Sequence, residues 1–201
     1  MQLFYVSGSP YARMVRIALL ETGLAARVAH EEVTLRDPAS ALLPFNPVGR
    51  VPSLQLADGT VLTESLLILP FLDTLHAGPR IMPATPAGLA AMGRAIGFLD
   101  GIAVWNRAMR PPPPERSPAV LTLEETRANR VADTLERDVA AGGYGGRFDA
   151  AALALGCALG YCERRHTFWH WREARPALSA WFDRIAARPS FQATLPPVSG
   201  I

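Results

Sequence analysis

The spacing of apolar and polar positions changes character near residue 77 of this 201-residue chain. Before that point, short apolar runs alternate with turn signals. Residues 2–6, QLFYV, predict a short buried strand. Ser9-Pro10 then opens a helix, because serine caps a first turn well and proline is pre-shaped for the first helical position. Met14, Ile17, Ala18 and Leu20 share its inner face, and Gly23 stops it. Residues 27–34, RVAHEEVT, alternate loosely as a second strand. Pro38, Pro44 and Pro47 break residues 36–48 into a loop with room for one helical turn. Residues 51–56 predict a strand that begins at a proline, Ala57-Asp58-Gly59-Thr60 a hairpin turn, and Val61-Leu62 the returning strand. Glu64 and Ser65 start a helix running to about His76. That order of elements is an α/β layer of about four strands.

Residues 77–86, AGPRIMPATP, are rich in Gly and Pro and form a linker. Everything beyond them is expected to be helical, over about 87–109, 118–140, 150–165 and 176–187. Four prolines at 111–114 separate the first two of these helices, and the run Gly142-Gly143-Tyr144-Gly145-Gly146 ends the second. The chain therefore reads as an α/β domain over 1–77 and an all-α domain over 87–201, with 78–86 between them. No internal repeat is present.

Composition places this pattern in the globular class, with 49% apolar and 19% charged residues. The net charge is only +2, and every basic residue other than histidine is arginine. Acids alternate with these arginines along the helices, so no nucleic-acid footprint is expected. The start MQLFYVSGSP lacks a basic region followed by a long apolar run, so no signal peptide is expected. No apolar stretch approaches the ~18–20 residues that cross a bilayer, so no membrane partner is expected. Cys157 and Cys162 lie in one helix, where roughly 100° of turn per residue keeps their side chains apart. Free thiols fit a reducing, cytoplasmic setting.

Three segments carry candidate chemistry. Ser9-Pro10-Tyr11-Ala12 sits where a strand meets a helix N-terminus, whose free N–H groups and dipole favour negative charge. A thiolate would be stabilised there, with the Ser9 hydroxyl as donor; a simple helix cap needs the same residues. Asn46-Pro47-Val48-Gly49-Arg50-Val51-Pro52 is the second. A cis Val51-Pro52 bond would let Val51 offer its backbone groups to an extended peptide, and an ordinary turn is the alternative. In Thr63-Glu64-Ser65, the helix start and the Ser65 hydroxyl suit a carboxylate, and Glu64 suits an ammonium group; capping alone is again the alternative.

Taken together, the three match the thiol, the peptide middle and the charged amino-acid end of glutathione. The chain resembles the soluble, bacterial-type glutathione S-transferases with Ser at the catalytic position. The resemblance is carried by YVSGSPYARMVRI, FNPVGRVPSL, TESLLIL, AALALGCALGY and RPALSAWFDRIAARPSF, and covers nearly the whole chain. It implies a thioredoxin-like N-terminal domain and a C-terminal helical bundle. It also implies a cis-proline at Pro52, backbone bonds from Val51 to the cysteinyl unit, and Glu64 and Ser65 at the γ-glutamyl end. Ser9 falls at the catalytic position, and Arg50 is placed to approach the glycine carboxylate. The implied acceptor pocket takes in Tyr11, Trp105 and Met109, with a small apolar electrophile as substrate. A homodimer is implied, with Asp100 on a helix often used for its contacts. Glutathione is then a co-substrate, and no metal is needed.

The chain departs from related redox proteins that carry C-P-Y-C where Ser9-Pro10-Tyr11-Ala12 stands, so dithiol exchange by the protein is not expected. A capping box is half lost as well: Asp149 is placed to cap, but Ala152 stands at the reciprocal position. His166 and His170 are spaced for one helix face but lack the further ligands zinc needs. Cys157 reads as a buried small hydrophobe. An isomerase, a reductive dehalogenase or a non-catalytic glutathione-binding protein on the same fold stays open.

Overall fold

The computed structural model describes residues 1–198. Strand β1 (Gln2–Tyr5) is followed by helix α1 (Pro10–Glu21) and strand β2 (Ala29–Glu32). Strands β3 (Ser53–Gln55) and β4 (Val61–Thr63) form the hairpin, and helix α2 (Ser65–Leu72) closes this layer. The sheet order is β2-β1-β3-β4. Strand β1 runs parallel to β2 and antiparallel to β3, and β3 runs antiparallel to β4. This is the expected thioredoxin-like layer. Both faces of β1 are buried: Leu3 enters the main core, while Phe4 packs with Ala12, Val33, Leu42 and Val51 on the other side.

Helices α3 (Pro86–Ala108), α4 (Pro118–Ala140), α5 (Ala150–Arg165), α6 (Pro176–Ala186) and α7 (Pro189–Gln192) complete the fold. Pro at the first helical position and Ser or Thr before it start three of the longer helices: Ser9 caps α1, Thr85 caps α3 and Ser117 caps α4. Helix α5 is the central post. Its residues from Ala150 to Cys162 are all buried, as expected of a helix that is apolar all round. It packs against α3 on one side and α1 on another, so it joins the helical domain to the α/β layer. Gly156 lets α6 and α7 press onto it, since a Cβ there would lie 2.7 Å from Phe191 and 2.8 Å from Ile185. Cys157 and Cys162 are free and buried, and burial pushes the Cys157 thiol up to about 12.

Several expectations change. Helix α2 ends at Leu72, not near His76. Beyond it the bonds tighten, Thr74 N–H to Phe71 and Leu75 N–H to Leu72, and the Asp73 carboxylate accepts from the linker N–H groups of Ile81 and Met82 at 2.7 and 2.9 Å. Helix α7 is a single turn, too short for periodicity to reveal. His166 and His170 do not share a helix, because α5 ends at Arg165. Helix α3 is long and apolar enough to span a bilayer by length and composition, contrary to the sequence reading. Its Ala, Gly, Leu and Met residues outweigh Arg94 and Asp100, and its inner face packs on α4 and α5.

Asp149 caps α5 as expected, its carboxylate accepting from the N–H groups of Ala151 and Ala152, both at 3.0 Å. With Ala152 unable to reciprocate, this carboxylate is the whole cap. Asp149→Ala is expected to cost about 1 kcal/mol and at most about 2, read as a lower midpoint in urea unfolding with an unchanged slope.

Candidate active site

Strand register decides where the three segments meet. Phe4 of β1 pairs with Ser53 of β3, and Ser53 pairs with Thr63 of β4. Antiparallel pairing puts the end of β1, the start of β3 and the end of β4 on one edge of the sheet. The Ser9 turn, the Val51-Pro52 step and Glu64-Ser65 all leave from that edge. Strand spacing of about 4.8 Å makes the span from β1 to β4 about 10 Å.

Ser9 is the N-cap of α1, and its Oγ accepts from the Ala12 N–H at 3.2 Å. A serine hydroxyl accepts and donates at once. The cap therefore fixes the oxygen and leaves its proton free for an anion above the helix N-terminus. The turn before it is held by the Ser9 N–H on the Val6 carbonyl at 2.9 Å and by the Ser7 N–H on Glu32 at 2.7 Å.

The Val51-Pro52 bond is cis. The loop before it hangs on Asn46, which is only 3% exposed. Its Nδ2 donates to the Arg50 carbonyl and to Ser53 Oγ, both at 3.0 Å, and its Oδ1 accepts from the Val48 N–H at 3.0 Å. The N–H and C=O of Val51 are left without a hydrogen-bond partner among the described residues. Arg50 holds the loop through its carbonyl, and its side chain is exposed. Asn46 was not singled out from the sequence, though Asn-Pro is a turn signal that points to it.

Glu64 precedes α2 with φ 67°, a left-handed conformation uncommon outside glycine, and its side chain is exposed. Non-glycine residues held there cost of order 1–3 kcal/mol and cluster at ligand sites. Ser65 is buried, and its hydroxyl has no hydrogen-bond partner among the described residues. The exposed Glu64 carboxylate and the unpaired Ser65 hydroxyl thus stand at the start of α2, at the same end of the sheet as Val51.

On the helical side, Tyr11 donates to Asp100 Oδ1 of the same chain at 2.5 Å. Burial, then this bond, raises the Tyr11 pKa, so the phenol stays protonated and committed to Asp100. Tyr11 and Met109 are half-buried, but Trp105 is only 3% exposed and lies beneath them. Its ring packs on His166, Phe168 and Trp169 at centroid distances of 4.5, 5.2 and 5.8 Å. Of the three expected acceptor-side residues, Trp105 is therefore packed in a buried aromatic cluster, while Tyr11 and Met109 keep partial exposure. Among the described residues no group of three or more His, Cys, Asp and Glu side chains could hold a metal ion.

The architecture is a thioredoxin-like domain joined to an all-helical domain, with the Ser9 turn, the Val51-Pro52 step and Glu64-Ser65 at one edge of the sheet. The chain belongs to the glutathione S-transferase family: the family's N-terminal domain matches residues 3–80 and its C-terminal domain residues 118–184. It is 28% identical over 194 residues to the GST-like protein YibF of Escherichia coli (strain K12), covering 94% of this chain and 95% of that protein. A glutathione transferase family member from Pseudomonas fluorescens Pf-5, solved with bound glutathione, is 34% identical with a TM-score of 0.89, over 98% of this chain and 99% of that one. A second structure from that organism, with bound S-(propanoic acid)-glutathione, has a TM-score of 0.87 at 34% identity, over 98% and 100% of the two chains.

His166 is fully buried, with neither ring nitrogen hydrogen-bonded. Burial lowers its pKa from 6.5 to about 3. The folded state then binds fewer protons than the unfolded one between these values, so its stability is full above about pH 6.5 and falls with acid. At pH 5 the loss is about 2 kcal/mol. His166→Phe is expected to flatten this dependence between pH 7.5 and 5, measured by urea midpoints at each pH.

Proposed function

We propose that this chain is a glutathione transferase in which the Ser9 hydroxyl holds the glutathione thiolate for attack on a small, largely apolar electrophile. The observation that carries this reading is the convergence of Ser9, Val51 and Glu64-Ser65 on one sheet edge. The edge is about 10 Å long, which is the reach of an extended tripeptide at about 3.4 Å per residue. Glutathione would lie along it with its sulfur at Ser9, its cysteinyl backbone on Val51 beside Pro52, and its γ-glutamyl end on Glu64 and Ser65. Arg50 stands on the same rim for the glycine carboxylate.

The chemistry asked of the protein is modest. The helix N-terminus and the Ser9 proton lower the thiol pKa, and the cradle positions the sulfur. The thiol proton leaves to solvent, and the sulfur then forms a bond to the electrophilic carbon as that carbon's bond to its leaving group breaks and the group departs with the bonding pair. The apolar body of that substrate would rest against Tyr11 and Met109. The two Pseudomonas fluorescens structures, one with bound glutathione and one with S-(propanoic acid)-glutathione, support the reading of a glutathione site. The division of labour follows residues 1–77 for glutathione and 87–201 for the acceptor. A homodimer is part of the proposal: Leu66 and Leu67 of α2 and Leu89 of α3 leave apolar surface uncovered, Leu67 at 65% exposure. Reduced buried cysteines favour a cytoplasmic setting.

Ser9→Ala is expected to lower kcat/KM by about 10- to 100-fold, the range of a hydrogen bond to a charged group. Glutathione affinity by isothermal titration should stay within about twofold, because the peptide contacts are untouched. The rise of kcat/KM with pH should move to higher pH, as the thiol loses its donor. Unchanged turnover would remove Ser9 from the mechanism, and no binding at millimolar glutathione would remove the proposal.

A further inference from the structure

The helical side of the Ser9 site is cationic and carries no counter-ion among the described residues. Arg165, the last residue of α5, reaches across to the turn before α1. A Cβ placed on Gly8 would lie 3.1 Å from the Arg165 Cζ and Nη2, so the guanidinium sits over the residue preceding Ser9. Its Nε is buried with no hydrogen-bond partner. No carboxylate pairs with Arg165 or with Arg110 among the described residues.

One buried amide organises both arginines. Asn106, 1% exposed, accepts from the Tyr161 hydroxyl at 2.7 Å and from Arg110 Nη2 at 3.1 Å through the same oxygen. Its Nδ2 donates to the Arg165 carbonyl at 2.6 Å. Tyr161 in turn lines a narrow crevice with Ser9 and Pro10, which ties this network to the catalytic turn. Both guanidinium charges act on the Tyr161 hydroxyl, which burial otherwise pushes up. The nearby acids are engaged elsewhere: Asp100 accepts from Tyr11, and Glu163 accepts from Arg172 and Trp171.

A cation in the last turn of a helix is favourable in itself, which accounts for a solvated arginine there. It does not account for a guanidinium set over Gly8 with its Nε buried without an acceptor and its Nη groups making no hydrogen bond among the described residues. The forked guanidinium matches a carboxylate better than any neutral group. Two carboxylates could meet it, one on the electrophile or one on glutathione. The position favours the electrophile. The proposed peptide runs from Ser9 at β1 toward β4, whereas Arg165 approaches Gly8 from α5 of the helical domain.

We infer that the electrophile accepted at this site carries a carboxylate, bound by Arg165 with Arg110 beside it. The inference rests on the conjugation reading above. With an aryl chloride, the glutathione sulfur forms a bond to the ring carbon, the carbon–chlorine bond breaks, and chloride leaves with the bonding pair. The thiol proton has already passed to solvent.

The test uses the full chain with 4-chloro-3-nitrobenzoate and its neutral amide, each rate divided by its uncatalysed rate. The native protein should prefer the carboxylate, and Arg165→Gln should reduce that preference about tenfold or more. Arg110→Gln should reduce it in the same direction, and Arg165→Lys should restore part of it, since charge returns without the fork. Titration with the two S-aryl glutathione conjugates reads the same preference without turnover. An equal carboxylate-to-amide ratio in the native protein and Arg165→Gln overturns the inference while leaving conjugation intact. A loss of affinity for glutathione alone, as large as that for the carboxylated conjugate, assigns Arg165 to glutathione and also overturns it. Failure of glutathione and both conjugates to bind at millimolar concentration overturns the conjugation reading and the inference with it.

Discussion

Strand β1 is buried on both faces, and the rest of the structure depends on that. Leu3 and Phe4 are fully buried on opposite sides, so neither side of the strand can be given to water. Moving the register by one residue would exchange these environments, and each is filled by a different set of partners. The register in turn fixes Ser53 against Phe4 and Thr63 against Ser53. The site is a consequence of this pairing, because three loops of unrelated sequence are delivered to one edge by three strands.

Buried amides finish what the strands begin. Asn46 gathers the loop carbonyl of Arg50, the hydroxyl of Ser53 and the N–H of Val48, and so shapes the approach to Val51. Asn106 does the equivalent work on the helical side, holding Tyr161, Arg110 and the end of α5 together. An amide suits both places because it donates and accepts without charge, so it can be buried when its partners are supplied. Arg13 spans the remaining seam: it is 3% exposed, and donates to the Phe191 carbonyl at 3.0 Å and to Thr194 at 3.3 Å. Asn46 thus fixes the loop before Val51 within the α/β layer and Asn106 the end of α5 within the helical domain, while Arg13 ties the two together.

Much of this was legible in the sequence wherever the signal is local. The caps at Ser9 and Asp149, the Asp-Gly hairpin, the proline breaks and the apolar run of α5 each act over a few residues, and each element they predict is present. The three segments proposed to hold glutathione were legible as element boundaries for the same reason, since each is a short local motif. The end of α2 was not, because Asp73 is claimed by linker amides eight and nine residues ahead. Nor was the burial of Trp105: its place depends on the turn after α5, which brings His166, Phe168 and Trp169 against α3. His166 itself looked like a helical partner of His170 and proved to be a buried ring beyond the helix end.

By itself, the sequence determined the two-part architecture and the element boundaries at Ser9, Val51-Pro52 and Glu64-Ser65, because helix caps, turn residues and apolar periodicity are properties of neighbouring positions. Only the tertiary structure decided what surrounds the Ser9 turn. Asp100 lies 89 residues from Tyr11, and Arg165 lies far along the chain from Gly8, yet each pair is in contact. No local preference encodes such pairs. They follow from α5 packing against α1 and α3 at once, which brings a cationic helix end over the turn that carries Ser9.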